Sequence, residues 1–356
     1  MRRAGLIGGL AGVAVAGAAV GLAAERYAVG RARLRPDPDA REPFFALPAD
    51  KIRRVVADDG VPLHVEEVGD SPAGSAPLTV VFVHGYLNEM AVWHFQRQAF
   101  AADNPGRLVF YDQRGHGRSG RGTSGHATID QLGKDLYAVL QACAPAGPVV
   151  LVGHSMGGMT VMALADLHPE LFGSRIVGVA LLSTSTGKLA HATFGLPAAV
   201  APVTERVVPW LTRGMRRRPE LFEKGRRAGT DLAFVITRMY SFGSRDVSPS
   251  VVELVERMAA NTPVDVIAEF YDTFVSHDKL AALHVLADVE VLVLVGSKDL
   301  TTPVDHSRVI AEALPHAQLV VVEGAGHMVQ LERPAFVTLQ LRALLRRATR
   351  AATRSA

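Results

Sequence analysis

The sequence predicts an α/β fold: a doubly wound, mostly parallel sheet with a helical cap insertion, preceded by an apolar N-terminal segment. Short runs rich in Val and Leu alternate with amphipathic helical patterns along most of the chain. This alternation implies repeated β-α units, which build a parallel sheet covered by helices on both faces. A stretch of mainly helical signals at residues 185–286 interrupts the alternation and predicts the cap.

The overall composition sets the broad class of protein. The chain has 356 residues, of which 48% are hydrophobic, enough for one large α/β domain. The net charge is only +3, and no basic stripe is interleaved with aromatic residues, so we expect no nucleic-acid partner. The single cysteine, Cys143, excludes an intramolecular disulfide. No Cys/His spacing predicts a metal site, and no organic cofactor is implied.

The first 35 residues differ in character from the rest. Ala4–Ala24 is an uncharged run, rich in Ala and Gly, that is long enough to span a bilayer at about 20 residues per crossing. We therefore predict that residues 1–35 associate the protein with a membrane as a single anchor. A cleaved export signal, which would make the protein secreted, and a soluble apolar tail are the alternatives. Arginines that follow the run weakly favour a cytoplasmic position for the rest of the chain.

The globular part begins after a proline-rich segment, residues 36–50, which we predict to be a linker or a strap. Residues 51–184 and 287–346 form the two parts of the α/β core, and residues 347–356 are expected to be a frayed tail. The first two strands alternate polar and apolar residues around Asp58-Asp59-Gly60, which is typical of a hairpin. The predicted strands are Arg53–Ala57, Leu63–Val68, Leu78–Val83, Arg107–Tyr111, Val149–Val152, Ile176–Leu182, Val289–Val295 and Gln318–Val322; the predicted helices are Met90–Ala101, Thr128–Cys143, Met156–His168, Ser248–Ala260, Val264–Val275, Val304–Leu314 and Pro334–Leu345.

The stretch VVLVGHSMGGM, residues 149–159, carries the strongest chemical signal. It joins a strand, a sharp Gly-x-Ser-x-Gly turn and a helix. Glycines two residues before and after Ser155 suit a turn too tight for a Cβ, which would expose the serine hydroxyl above a helix N-terminus. We therefore take Ser155 as the candidate nucleophile.

A serine hydroxyl needs a base, and the base needs an acid that orients it. His327 lies in a glycine-rich loop directly after the strand QLVVV, and Asp299 follows the strand VEVLVLV. The order Ser155, Asp299, His327 is the one expected of this architecture. The other candidates are weaker: His154 should point elsewhere, His84 should brace a loop, His116 lies in a tight turn, His306 should be exposed on a helix, Asp112 precedes the nucleophile, and Asp305 is a second choice.

An oxyanion hole requires two preorganised N–H donors. The backbone N–H of Met156, directly after the candidate nucleophile, supplies one. The other is expected from Tyr86, in the His84-Gly85-Tyr86 loop after the strand LTVVFV.

The segments FVHGYL, YDQRGHGRS, LVGHSMGG, VGSKD and GAGHMVQLERP, in this order, resemble the α/β-hydrolase superfamily over roughly residues 50–345. The resemblance implies that Ser155 is the nucleophile, His327 the general base and acid, and Asp299 the orienting acid. A serine nucleophile argues against epoxide hydrolases and haloalkane dehalogenases, which carry aspartate there. One departure is Leu87, where many relatives have proline.

The residues and the resemblance together predict a serine hydrolase that cleaves small-molecule or lipid esters of apolar acyl groups. Thioester, lactone, amide or carbon–carbon hydrolysis, acyl transfer, and a non-catalytic homologue are the alternatives. A basic cluster at residues 213–227 is a solvated face or a contact for anionic lipid headgroups or an acidic substrate.

Overall fold

A single eight-stranded sheet organises the chain. The computed structural model describes residues 35–69, 78–103, 106–123, 125–187, 210–228 and 237–355. The strands are β1 (Lys51–Val56), β2 (Pro62–Val68), β3 (Thr79–Val83), β4 (Arg107–Tyr111), β5 (Val149–His154), β6 (Ile176–Leu182), β7 (Glu290–Gly296) and β8 (Gln318–Val322). Their order in the sheet is β1-β2-β4-β3-β5-β6-β7-β8. β2 runs antiparallel to both of its neighbours, β1 and β4, and all the other neighbouring pairs are parallel, so the mostly parallel sheet is confirmed.

Helices cover both faces of the sheet. They are α1 (His94–Asp103), α2 (Ile129–Cys143), α3 (Met156–Leu167), α4 (Pro219–Ala228), α5 (Pro249–Asn261), α6 (Val264–Ser276), α7 (Val304–Ala313), α8 (Val329–Glu332) and α9 (Pro334–Ser355). Successive side chains of β3 point to opposite faces: Phe82 packs in one hydrophobic cluster with α1 and α9, and Val81 packs in the other with α2, α3 and α7. This two-sided burial explains why the central strands are continuous apolar runs.

The last helix extends beyond its predicted end. We expected it to stop at Leu345, followed by an irregular tail at 347–356, but α9 runs to Ser355. Ala348 is fully buried and Ala352 packs against the same cluster, so helix continuation buries apolar surface. Alanine and arginine, which dominate this stretch, also favour helix intrinsically. The prediction of a frayed tail was therefore wrong for residues up to 355.

Residues 35–50 form a strap that is tied to the core, which is one of the two forms we predicted. The carboxylate of Asp37 accepts hydrogen bonds from the Ser250 N–H at 3.1 Å and from its hydroxyl at 2.6 Å, at the start of α5. Further along, Glu42 lies 2.8 Å from the buried ring of His94. The Arg97 guanidinium donates to the backbone carbonyl of Pro48 at 2.6 Å. The strap therefore has defined contacts with α1 and α5.

The predicted N-terminal anchor, Ala4–Ala24, lies outside the described residues. Among the residues that are described, no helix is long and apolar enough to cross a bilayer.

The segment between β6 and β7 contains the helices predicted for the cap, although its residues 188–209 and 229–236 lie outside the described ranges. Its two ends meet, since Gly187 forms a β-bridge with Asp278. α5 packs into the main hydrophobic cluster through Val251, Leu254 and Met258. α6 instead covers loops at the carboxyl ends of the strands, which is where ligands bind in open parallel sheets.

Candidate active site

Ser155 lies at the tip of a strained turn between β5 and α3. Its backbone has φ 54° and ψ −120°, a left-handed conformation that is uncommon for a residue with a side chain. The turn is closed by backbone contacts: a Cβ at Gly157 would lie 2.1 Å from the Val83 carbonyl oxygen, and one at Gly153 would lie 2.6 Å from the Gly157 oxygen. Only glycine fits at these two positions, which explains the Gly-x-Ser-x-Gly pattern.

The structure brings together the three side chains that the sequence singled out. His327 Nε2 lies 3.0 Å from Ser155 Oγ. The other ring nitrogen, Nδ1, lies 2.9 Å from Asp299 Oδ2 and 3.1 Å from Oδ1. All three residues are less than 10% exposed, at 8% for Ser155, 7% for His327 and 4% for Asp299. This geometry allows a proton to pass from the serine to an imidazole that a carboxylate orients.

Asp299 is held in its ionised form by its surroundings. Burial alone would raise the pKa of this carboxyl, but the neighbouring His327 and the N–H groups of Thr301 and Thr302 outweigh burial and lower it. The two N–H groups donate to Oδ1 at 2.8 and 2.9 Å. The Thr302 hydroxyl donates to Oδ2 at 3.0 Å. The carboxylate is therefore charged and fixed in orientation beside the imidazole.

The two expected oxyanion donors lie beside Ser155. Met156 is the first residue of α3, so its N–H has no acceptor within the helix. Tyr86 lies in the loop after β3, and a Cβ at the preceding Gly85 would come within 3.0 Å of the Ser155 Cβ, which places this loop directly against the nucleophile turn. The next residue, Leu87, has φ 59°. Proline fixes φ near −65°, so the backbone here is incompatible with the proline found in many relatives.

The Tyr86 side chain also joins this loop to the insertion, a contact that sequence reasoning missed. Its hydroxyl donates to the Ile267 carbonyl oxygen of α6 at 2.6 Å. Its ring packs edge-on against Phe274, with centroids 5.0 Å apart. Because the Gly85-Tyr86 loop lies against the Ser155 turn, this contact couples α6 to the candidate active site.

Glu332 is a second residue that sequence reasoning missed. Its buried carboxylate accepts three backbone hydrogen bonds, from Gly326 at 2.7 Å, Ser244 at 2.7 Å and Gly243 at 3.0 Å. On the other side of His327, the Met328 N–H donates to the Ser241 carbonyl oxygen at 2.8 Å. The chain on both sides of His327 is thus bound to residues 241–244. The only sequence signal was an acidic residue shortly after the candidate base.

The other histidines near the site act on the backbone. His154 donates from Nε2 to the His327 carbonyl oxygen at 3.0 Å, and burial lowers its pKa to about 3. His84 accepts from the Gln113 N–H at 2.8 Å, which confirms the prediction that it braces a loop. Burial lowers the pKa of His84 to about 4 and that of His116 to about 3, so both rings are neutral.

The prediction that His306 is exposed was wrong. Its Nδ1 lies 2.8 Å from the Ser185 hydroxyl, and the ring is partly buried where α7 meets the start of the insertion. Burial lowers its pKa.

The rejected acids lie away from the candidate base. Asp112 accepts from the N–H groups of Met90 and Arg118 at 2.8 and 2.9 Å, and burial raises its pKa. Asp305 forms an exposed ion pair with Arg308 at 2.7 Å. In the part of the chain that the structure describes, no group of three or more His, Cys, Asp or Glu residues is arranged to hold a metal ion.

Comparison with known proteins places this geometry in context. A family model for the alpha/beta hydrolase fold matches residues 79–334. The chain is 26% identical to the sn-1-specific diacylglycerol lipase ABHD11 of Mus musculus over 262 residues, which cover 73% of this chain and 79% of that protein.

Two further relatives differ in coverage. The chain is 27% identical over 275 residues to the dihydrolipoyllysine-residue acetyltransferase component of the acetoin cleaving system of Pseudomonas putida; the match covers 77% of this chain and 64% of that protein, which is less than two thirds of its length. A thermophilic esterase from Thermogutta terrifontis has a similar fold, with a TM-score of 0.65 at 23% identity over 84% of this chain and 99% of that one.

Proposed function

The chain belongs to the α/β-hydrolase fold family, and on this premise we propose that it is a serine hydrolase that cleaves carboxylic esters of apolar acyl groups. The observation that supports the proposal most directly is the pair of contacts made by His327, 3.0 Å to the Ser155 hydroxyl and 2.9 Å to the Asp299 carboxylate. The esterase and lipase relatives support an ester as the bond that is cleaved.

In the proposed mechanism, Ser155 Oγ attacks the ester carbonyl carbon while His327 Nε2 takes the hydroxyl proton. The negative charge that forms on the carbonyl oxygen is stabilised by the N–H groups of Tyr86 and Met156. Asp299 stabilises the imidazolium and keeps Nε2 directed at the serine. His327 then returns the proton to the leaving alkoxide, which departs as the alcohol and leaves an acyl group on Ser155.

Deacylation repeats the same steps with water. His327 removes a proton from the water, the resulting hydroxide attacks the acyl carbonyl, and Ser155 Oγ leaves with that proton as a hydroxyl. The free acid is released. No metal or organic cofactor takes part in this scheme.

Pre-steady-state hydrolysis of a short-chain p-nitrophenyl ester tests the proposal. The full-length protein should release a burst of p-nitrophenol close to one equivalent per chain, followed by a slower steady state. Ser155→Ala should abolish both phases, whereas Ser174→Ala, at an exposed serine, should preserve them. Equal turnover by wild type and Ser155→Ala would refute the mechanism.

Acyl transfer is a second candidate, favoured by the Pseudomonas putida relative, which is named as an acetyltransferase component. In this variant an alcohol or thiol replaces water in the second step. Product analysis with added lipid alcohol separates the two: a transferase forms a new ester at the expense of free acid, and a hydrolase does not.

We also propose that residues 4–24 associate the protein with a membrane as a single anchor, with secretion after signal cleavage as the alternative. The uncharged length of this run supports the proposal. Lipid esters would then be the substrates nearest to the enzyme.

A further inference from the structure

The insertion carries an exposed surface that combines apolar and basic side chains, which we call the Trp210 surface. It is formed by the helix at residues 210–217 and by the first turns of α4. Trp210 is 71% exposed and Leu221 is 62% exposed, unusually high values for large apolar residues. Around them lie the exposed side chains of Arg213, Arg216, Arg217, Arg218 and Lys224.

The exposed residues share one side of each helix. At 100° per residue, Trp210, Arg213 and Arg217 fall within one arc of the first helix, and apart from Arg216 the residues between them are buried or half-buried. The opposite sides of the helices pack against α6. Arg216, at the edge of the exposed arc, pairs with Asp272 of α6 at 2.8 Å, and the Glu223 carboxylate accepts from the Val264 N–H at 3.1 Å.

The charges of this surface are largely uncompensated. Arg213, Arg217, Arg218 and Lys224 form no ion pair with any carboxylate in the described ranges, and Glu220 is the one exposed acid on α4 there. The side chains of Arg226 and Arg227 lie outside the described set. A basic face that only contacts water would not require a tryptophan, because exposing a large apolar ring to water costs free energy.

From this combination we infer that the Trp210 surface docks on an anionic lipid bilayer. Tryptophan rings favour the boundary between headgroups and acyl chains, and arginines next to them attract anionic headgroups. α6 contacts the helices of this surface through Asp272 and contacts Tyr86 through the Ile267 carbonyl oxygen. Docking would therefore bring lipid to helices that α6 connects to the candidate active site. This inference is independent of the proposed function, because it concerns binding and not turnover.

Tryptophan fluorescence provides a site-specific test. The chain has two tryptophans, and the other one, Trp93, is fully buried, so changes in solvent exposure report on Trp210. The apolar run at residues 4–24 contains no tryptophan and does not contribute to the signal. The full-length Ser155→Ala protein would be mixed with vesicles of phosphatidylcholine alone or with one third phosphatidylglycerol.

With the anionic vesicles, we expect the emission to shift to the blue and acrylamide quenching to fall, and Trp210→Phe should remove both changes. Arg213→Ser with Arg217→Ser should weaken partitioning of the Trp210 surface by about 25-fold, or about fivefold for each arginine. This partitioning is read from the blue shift of Trp210 as the concentration of anionic lipid rises. Arg346→Ser with Arg350→Ser, at exposed arginines on α9, removes the same charge elsewhere and should have little effect.

Three results would overturn the inference. The first is that the protein co-sediments with anionic vesicles while the emission of Trp210 stays unchanged. The second is an equal loss of partitioning for the two arginine pairs, which would indicate a general charge effect. The third is protection of Trp210 by soluble glycerol phosphate at the same headgroup concentration, which would assign the surface to a soluble anion.

Discussion

At the scale of single residues, each side chain of the candidate site is held in its orientation by a neighbouring residue. Ser155 adopts φ 54° because Gly153 and Gly157 allow the backbone to close around it. His327 is oriented by Asp299, and Asp299 is in turn oriented by Thr301 and Thr302. The reactive arrangement is therefore assembled before any substrate binds, which is the condition for electrostatic preorganisation.

Thr302→Val tests the outermost of these contacts. The substitution removes the hydroxyl that donates to Asp299 Oδ2 at 3.0 Å and keeps the shape of the side chain. We expect kcat to fall by about tenfold, because hydrogen bonds to charged groups contribute about 1.5–3 kcal/mol, while KM stays unchanged. Thr301→Val is the matched control, since Thr301 contributes its backbone N–H to the carboxylate. Equal kinetics for the two variants would contradict a role for the Thr302 hydroxyl.

The sequence predicted which three side chains the fold brings together, but it did not predict the groups that hold them in place. Ser155 directly follows β5, and Asp299 and His327 lie in the loops after β7 and β8. Because parallel strands bring their carboxyl ends to one edge of the sheet, the proximity of the three residues could be inferred without coordinates. Glu332 and His306 make contacts that depend on how the insertion packs against the core. Such long-range packing leaves no periodic signal, which is why Glu332 was missed and His306 was wrongly predicted to be exposed.

At the scale of elements, Glu332 joins three pieces of backbone: the loop that carries His327, its own helix α8, and residues 243–244 of the insertion. Its carboxylate is buried and its acceptors are occupied by N–H donors from two of these pieces. The insertion is thus attached to the loop of the candidate base as well as to the oxyanion loop through Tyr86.

Glu332→Gln should disturb the position of His327 without removing any group that contacts substrate. The amide NH₂ would face backbone N–H donors, so the loop must shift. We expect kcat to fall by about 10- to 100-fold, since a displacement of about 1 Å can cost that much, with KM changed less than about twofold. Glu323→Gln, at an exposed acid in the same loop, should behave as wild type. A rise in KM at constant kcat would assign Glu332 to substrate binding instead.

At the scale of the whole molecule, the strap and the sheet form one folded unit. The strap contacts α1 and α5 through Asp37, Glu42 and the carbonyl of Pro48, so the folded part begins well before β1. The sequence did not decide between a linker and a strap for residues 36–50, because a proline-rich segment without periodicity carries little information about tertiary contacts.

Two truncations test this view of the N-terminus. Removal of residues 1–34 should release a soluble enzyme with unchanged kcat, because every strap contact is retained. Removal of residues 1–50 should lower the free energy of unfolding by at least about 2 kcal/mol, since Ser250 loses its acceptor and the buried His94 and Arg97 lose partners. Urea denaturation measures the difference, and equal stability of the two proteins would show that the strap contacts contribute nothing. Full-length protein that fractionates wholly as soluble with an intact N-terminus would refute the anchor.

A buried charge cluster under the strap makes stability depend on pH. Glu66 is 4% exposed; burial raises its pKa, but His64, Arg97 and Arg118 outweigh burial and lower it to about 2. Since the folded state holds this proton less tightly than the unfolded chain, with a pKa near 4.3, the stabilisation is complete above about pH 5 and is lost as the pH falls towards 2. The expected loss is on the order of 3 kcal/mol.

Urea unfolding of wild type and Glu66→Gln between pH 7 and pH 2.5 isolates this contribution. The variant should be less stable at pH 7, because Arg97 keeps its buried position without a carboxylate partner. The difference in unfolding free energy between the two proteins should then shrink as the pH falls from 5, because protonation removes the same charge from the wild type. Arg118→Gln, at a half-exposed partner of Glu66, should also weaken the dependence of unfolding free energy on pH, but less than Glu66→Gln does. Parallel curves for wild type and Glu66→Gln would show that this carboxyl has the same pKa in the folded and unfolded chains.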